Sequence, residues 1–245
     1  MKWIESAMDI LLPRLCIVCG TRLLFSERHI CLKCLAGLPL TYFWKQDHNP
    51  MSDRFNEVIQ KNLDKEDSAR MEGYAFAAAL FHYNSEAGFR LIPYNIKYKG
   101  NIKAGEYFGR MLGRRLKEDE HWQDADLIIP VPLHWTRKFS RGYNQAEVIA
   151  SGIASETGIP MRADILRRIK RTKTQTKLDI DRKARNVADA FEAAKKDLLA
   201  VRHLVIVDDV FTSGNTLFAC FQALRSVFPP SIRISVVTLG FVGEG

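Results

Sequence analysis

The sequence predicts an α/β fold, a parallel sheet with helices on both faces, plus a small four-cysteine metal module at its N-terminal end. Three observations carry this. Leu204-Val205-Ile206-Val207 and the run inside Asp126–Leu133 are short, apolar and rich in β-branched residues, as buried strands are. Apolar-periodic stretches over 104–117, from about Gln145 to Glu156, and 217–228 read as helices between such strands, and alternation of this kind builds a parallel sheet. Two Cys-x-x-Cys pairs stand together near the start.

Length and composition set the frame. With 245 residues the chain can bury a full α/β core and carry a small appendage. At 47% hydrophobic and 26% charged residues, disorder is excluded as its general state. A formal net charge of +8 leans towards anionic partners, a phosphorylated small molecule or nucleic acid. No run of 18 apolar residues predicts a transmembrane helix. Glu5 and Asp9 interrupt any leader-like apolar region, so a cytoplasmic protein with reduced thiols is expected.

The first 40 residues read as one unit. Trp3, Ile4, Ala7, Met8, Leu11 and Leu12 recur at helical spacing and predict a short amphipathic helix that stops at Pro13, its stripe turned to protein rather than membrane. Cys16-Ile17-Val18-Cys19 and Cys31-Leu32-Lys33-Cys34 are two chelating turns separated by 11 residues, room for a small hairpin. Four thiolates at this spacing suit tetrahedral Zn²⁺ with no open position, hence a structural ion. A [4Fe–4S] cluster is the less expected alternative, and His29 within the loop is a spare ligand that four cysteines do not need. Residues 41–70 read as a polar linker with one helix near Phe55–Ile59, and 71–245 as the ligand-binding domain. Cys220 reads as a core thiol.

Within that domain, Gly73–Tyr83 is apolar and aromatic and reads as edge strands. Leu91–Asn101 places Lys97 and Lys99 before a Gly100 turn; either lysine is a solvated surface charge or a counter-charge for a ligand, with Lys97 the favoured one. The second strand ends at Val131-Pro132-Leu133-His134, where backbone groups can line a loop, Pro132 tolerating the missing donor. Arg137, Lys138 and Arg141 then crowd one turn, and Asn144 is a candidate cap for the next helix. From Arg162 to Arg185 there are ten Lys or Arg and three Asp, without interleaved aromatics. Any stacking on nucleobases would have to come from Tyr143, Tyr98 or Phe211. Ile232–Leu239 closes the domain as a last strand after Pro229-Pro230.

The chemistry concentrates at Asp208-Asp209-Val210-Phe211-Thr212-Ser213-Gly214-Asn215-Thr216. Two carboxylates at a strand end accept hydrogen bonds from a diol or hold a hydrated divalent cation. The small-residue loop before a helix offers unpaired N–H groups to a phosphate. Side by side they describe a site for a pentose 5-phosphate. No Gly-Lys-Ser/Thr follows, so it is not a Walker A loop.

This stretch resembles the ribose-5-phosphate loop of type I phosphoribosyltransferases, which bind 5-phosphoribosyl-1-pyrophosphate (PRPP) with Mg²⁺. The four-cysteine module, Pro130-Val131-Pro132-Leu133, Arg141-Gly142-Tyr143-Asn144-Gln145 and this loop, in order over about residues 10–240, resemble the ComF family. That family includes ComFC-like and amidophosphoribosyltransferase-like members tied to natural competence and the use of extracellular DNA. The resemblance implies a type I phosphoribosyltransferase-like sheet. It implies that PRPP, or another phosphorylated pentose, is held by Val131, Pro132, Leu133, Arg171, Asp208, Asp209, Thr212, Ser213, Gly214, Asn215 and Thr216. Mg²⁺ would sit at Asp208 and Asp209, directly or through water, with Arg141 and Lys97 sharing the catalytic work. Arg171-Thr172, Gln175, Arg182, Asn186 and Phe191 match the mobile loop that closes over PRPP. The family also implies single-stranded DNA and a competence helicase or ATPase as partners.

No motif marks an acceptor pocket. Three readings stay open: a phosphoribosyltransferase, of the glycosyltransferase class, with an unknown acceptor; a non-catalytic module of the same fold that binds single-stranded DNA; and a scaffold with a relic site.

Overall fold

The structure, a computed structural model, describes residues 13–63, 72–84, 88–134, 139, 141–169, 190–194 and 201–243. The helix expected over 3–12, Arg137 and Lys138, and Arg171, Thr172, Gln175, Arg182 and Asn186 of the basic segment lie outside them.

The centre is a four-stranded parallel sheet in the order β1-β6-β5-β2, formed by β1 (Ala77–His82), β2 (Leu127–Pro130), β5 (His203–Phe211) and β6 (Arg233–Phe241). Strand β5 is hydrogen-bonded on both edges, with Leu204 in register with Leu127 of β2 and with Ile234 of β6. Its residues Leu204 to Val207 are buried on both faces, which is why the run carries no polar alternation. The outer edges are also covered: Leu40 bridges Phe81 of β1 antiparallel, and Met161 bridges Ile128 of β2. A second, two-stranded antiparallel ladder pairs β3 (Leu166–Arg168) with β4 (Phe191–Ala193), the residues that bracket 170–189.

Strand β5 runs further than its apolar core suggests. The expected strand end before the carboxylates is corrected: Asp208 and Asp209 lie inside the strand, because Val210 and Phe211 continue the pairing onto Gly240 and Phe241 of β6. The following helix, α7 (Asn215–Arg225), begins two residues earlier and ends three earlier than the 217–228 reading. Tyr74–Phe76 precede a single strand, β1, rather than several crossing ones.

Helices lie on both sides of the sheet. α1 (Leu32–Ala36) belongs to the cysteine module, α2 is Pro50–Leu63, α3 Leu91–Tyr98, α4 Ile102–Lys117, α5 Glu120–Gln123 and α6 Gln145–Thr157. α4 and α6 cross closely. A methyl group on Gly109 would stand 2.3 Å from the Ile149 carbonyl oxygen, and one on Gly152 2.4 Å from that of Glu106, so only glycine admits this crossing.

The stretch read as a linker is part of the core. The helix expected near 55–59 spans 14 residues, Pro50–Leu63, and Met51, Phe55 and Ile59 are at most 1% exposed. Two asparagines fasten it to β1 and its approach. Asn49 accepts from the N–H groups of Met51 and Ser52 and donates to the Ala77 carbonyl at 3.0 Å. Asn56 both donates to the Ala75 carbonyl (2.9 Å) and accepts from the Ala75 N–H (3.0 Å). The polar composition of 41–70 hid a three-residue apolar stripe at helical spacing.

At the opposite end of the strands from the acidic pair, His203 is fully buried. Its Nε2 meets the Ser235 hydroxyl at 2.8 Å and its Nδ1 the Asp124 carboxylate at 3.0 Å, with the Arg233 guanidinium against the same carboxylate. Burial, then the Arg233 charge, pull its pKa down to about 4. The native state therefore holds the neutral imidazole, while the unfolded chain takes up a proton as pH falls below about 6.5. Stability from this group is complete above pH 6.5 and is lost as pH falls towards 4. Urea unfolding should show about 2 kcal/mol less stability at pH 5 than at pH 7 from this group, and H203Q should flatten that dependence. Equal slopes in both proteins would show that the charge state of His203 does not change on folding.

Candidate functional site

The acidic pair sits at the carboxyl end of the central strand, where open α/β sheets receive ligands. Successive strand residues point to opposite faces. Asp209 is 5% exposed, and its Oδ2 lies 3.4 Å from the Lys97 ammonium at the end of α3. Burial of that ammonium works against its charge, but the attraction of Asp209, then of Tyr98 and Asp208, outweighs this and leaves Lys97 above the ordinary lysine value. Asp208 is half-buried. Burial of its carboxyl, with Asp209 beside it, pushes its pKa up to about 8. A pair of carboxylates held this dry gains from a cation, which is what suits it to a metal-bound or hydroxyl-rich ligand.

Thr212 and Ser213 are exposed, and Gly214 turns with φ +77° into helix α7. A Cβ at Gly214 would press on the Phe211 ring at 3.0 Å, so both the dihedral and the space require glycine. Among the described residues no side chain caps α7, and its first backbone hydrogen bond runs from Phe218 N–H to the Gly214 carbonyl. The N–H groups of Asn215 and Thr216 thus belong to the uncapped first turn, a place that accepts anionic oxygen.

Arg54, from the segment read as linker, reaches this loop. Its guanidinium donates to the Thr212 carbonyl (3.2 Å) and to the Val242 carbonyl (3.0 Å), tying this loop to the residue that follows β6. It stands 158 residues from Thr212 in sequence, and no local pattern signals the contact.

The second wall follows β2. Val131 is buried and its N–H donates to the Val207 carbonyl at 2.9 Å; Pro132 and Leu133 are half-buried. His134 is buried. Asn144 caps α6 as expected, accepting from the Ala146 N–H at 3.1 Å, and also donates to the Val131 carbonyl at 2.9 Å, locking helix to loop. Arg141 donates to Gln145 Oε1 and lies 5.3 Å from the Tyr98 ring centroid. Tyr143 is half-buried with its hydroxyl on the Ile96 carbonyl, and Phe211 is 1% exposed. Of the three aromatics considered for stacking, Tyr98 is the one left open to solvent; Phe211 is consumed by the core, packed on Phe55 and Phe241. The structure therefore brings Lys97, Arg141, Val131–Leu133, Asp208, Asp209 and Thr212–Thr216 around one end of the sheet, while Arg171 falls outside the described residues.

A separate cluster forms in the first module. The Sγ atoms of Cys16, Cys19, Cys31 and Cys34 all lie within 4.8 Å of one another, with 3.7 Å between Cys19 and Cys31. A tetrahedron of thiolates at about 2.3 Å from Zn²⁺ has edges of about 3.8 Å, so the four sulfurs are spaced to hold one ion. The Cys31 N–H points at Cys16 Sγ (3.3 Å) and the Cys34 N–H at Cys31 Sγ (3.5 Å), donors that favour thiolates. Hydrogen bonding with Thr21 lowers the Cys19 thiol to about 6. His29 is not in the cluster; it packs on Tyr107 with ring centroids 5.6 Å apart. Cys220 is fully buried in α7, as a core thiol. Among the described residues no helix is long and apolar enough to cross a membrane.

Comparison with known proteins agrees with this geometry. Residues 129–241 match the Phosphoribosyl transferase domain family. Competence protein F of Haemophilus influenzae is 36% identical over 122 residues, 49% of this chain and 53% of that protein. DNA utilization protein YhgH of Salmonella typhimurium is 35% identical over 139 residues, 55% of this chain and 60% of that protein. The chain thus spans little more than half the length of these two relatives. YhgH of Escherichia coli O157:H7 is 25% identical over 213 residues, 86% of this chain and 83% of that protein. The chain combines a type I phosphoribosyltransferase-like α/β domain with an N-terminal four-cysteine cluster able to hold a metal ion, and it is similar to the competence and DNA-utilization proteins.

Proposed function

We propose that this protein serves the uptake or use of DNA, as a phosphoribosyltransferase-fold module that binds single-stranded DNA. The observation that carries this reading is the kinship: the relatives aligned over 49%, 55% and 86% of the chain bear names of competence and DNA utilization. The charge supports it, at +8 overall with ten basic residues between Arg162 and Arg185. Phosphate contacts made by such cations release counterions, so binding should depend steeply on salt. Anisotropy titration of a labelled oligo-dT should show affinity falling by at least about tenfold between roughly 50 and 200 mM salt. Absence of binding at the lower salt would remove this reading.

A second reading, phosphoribosyl transfer from Mg²⁺-PRPP, is favoured by one observation: a half-buried and a buried carboxylate stand together with an uncapped helix start near the strand end. In this reading Asp208 and Asp209 hold the ribose hydroxyls and the hydrated Mg²⁺. Thr212 to Thr216 hold the 5-phosphate, and Val131 to Leu133 face the pyrophosphate. Lys97 and Arg141 supply positive charge to the leaving group. Mg²⁺ would add Lewis-acid stabilisation of that group. The D209N variant should keep its melting temperature and bind Mg²⁺-PRPP at least about tenfold more weakly, about 1.4 kcal/mol. Unchanged calorimetric affinity would sink the site assignment, and pyrophosphate release by the wild type would separate turnover from binding alone. A protein that binds neither DNA nor PRPP would leave the scaffold reading.

For the cysteine cluster the expected ion is structural Zn²⁺, one per chain. Elemental analysis of reduced, unchelated protein checks the stoichiometry. A C16S/C31S variant should lose the metal and melt at a lower temperature, since all four ligands close the loops of the module.

A further inference from the structure

Helix α3 carries two tyrosines one turn apart, Tyr94 and Tyr98, which keep 46% and 61% of their surface exposed. Four-residue spacing puts them on one face of the helix. Their ring centroids are 5.2 Å apart with the planes tilted by 46°. The core side of the same helix is filled by Ile92, Pro93 and Ile96, so packing of the helix does not call on the two rings. Cations border the Tyr98 end of the pair. The Arg141 guanidinium lies 5.3 Å and the Lys97 ammonium 6.0 Å from the Tyr98 centroid, and Lys99 is exposed at the helix end. Phe139, two residues before Arg141, is 90% exposed. The helix itself, Leu91–Tyr98, contains no acidic residue.

Open rings among cations select a ligand with flat, unpaired faces and regularly spaced negative charge. Single-stranded nucleic acid has both. In duplex DNA the base faces are already stacked on one another and only the edges and phosphates are offered. We propose that Tyr94 and Tyr98 form a base-stacking platform for single-stranded DNA, with Arg141 and Lys99 meeting its phosphates. This rests on the DNA-binding reading above and gives it a place on the surface. The platform begins one side chain from the acidic pair, since Lys97 touches Asp209 at 3.4 Å and also faces Tyr98.

The test uses the full chain, a fluorescein-labelled oligo-dT and a duplex of the same length, read by anisotropy. Y94A/Y98A should weaken oligo-dT binding by about tenfold or more, while Y94F/Y98F stays within about twofold, because stacking needs the ring and not the hydroxyl. The alanine variant should keep the salt dependence of the wild type, whereas K99A should make it shallower. Thermal melting checks that each variant is folded, and the single variants Y94A and Y98A replace the double one if it melts early. Wild-type binding that the alanine variants leave intact would overturn the platform and spare the DNA reading. A wild type that binds no oligo-dT would overturn both. Duplex bound as tightly as oligo-dT, with the same loss in Y94A/Y98A, would overturn base stacking as the basis of the contact.

Discussion

Parallel pairing of β5 on both of its edges is the constraint from which the site follows. A strand hydrogen-bonded to β2 on one side and to β6 on the other cannot shift its register without breaking two ladders. Its apolar half fixes that register in the core. Its last residues, Val210 and Phe211, keep the ladder going past the carboxylates. Asp208 and Asp209 are consequently held where a flexible loop would have let them turn to water. The cost of that desolvation shows in the raised pKa of Asp208 and is offset in part by Lys97. Such a site is preorganised for a cation or a hydroxyl-rich ligand because relaxation away from it is denied.

The same rigidity reaches the loop that follows. Thr212–Gly214 is short and exposed in part, yet it is fixed at both ends: Gly214 is moulded on Phe211, and Arg54 grips the Thr212 carbonyl from α2. α2 is in turn fastened near β1 by the two amide side chains of Asn49 and Asn56. A stretch that reads as connecting chain is thus a buttress for the carboxyl end of the sheet's central strand, as loops are held by a rigid scaffold. Residues 41–63 and the α/β sheet share one hydrophobic core through Met51, Phe55 and Ile59.

What could be read from the chain alone follows from the range of the interactions. Leu204–Val207, the Asn144 cap and the four-cysteine spacing are local signals, each decided within a few residues, and the structure shows each in place. The Lys97–Asp209 pair and the Arg54–Thr212 contact join residues far apart in sequence, and nothing in either neighbourhood encodes the other. The stacking role considered for Phe211 failed for a related reason. An aromatic at the end of a central strand is drawn into the core by Phe55 and Phe241, whereas Tyr98 escapes because its helix already has an apolar side. The α2 stripe was masked by the polar residues between Met51, Phe55 and Ile59, so composition outvoted periodicity there.

The two proposed ligands make different demands, and the geometry keeps those demands apart. A DNA strand has no 2′-hydroxyl and therefore no diol for the acidic pair to hold. PRPP has no base to lay on Tyr94 and Tyr98. An account in which one ligand merely imitates the other leaves one of these features without a purpose. Both can be held only if the two surfaces coexist, and Lys97 is where they meet, ion-paired to Asp209 and facing Tyr98. A ligand that neutralises Asp209 with a divalent cation weakens the hold of that carboxylate on Lys97 and leaves its charge to the tyrosine side. By thermodynamic reciprocity, a polyanion that recruits Lys97 would alter the affinity of the acidic pair by the same factor. If both proposals hold, shared use of one lysine would make the proposed sugar-phosphate site and the proposed stacking surface two ends of a single coupled device rather than independent patches on one fold.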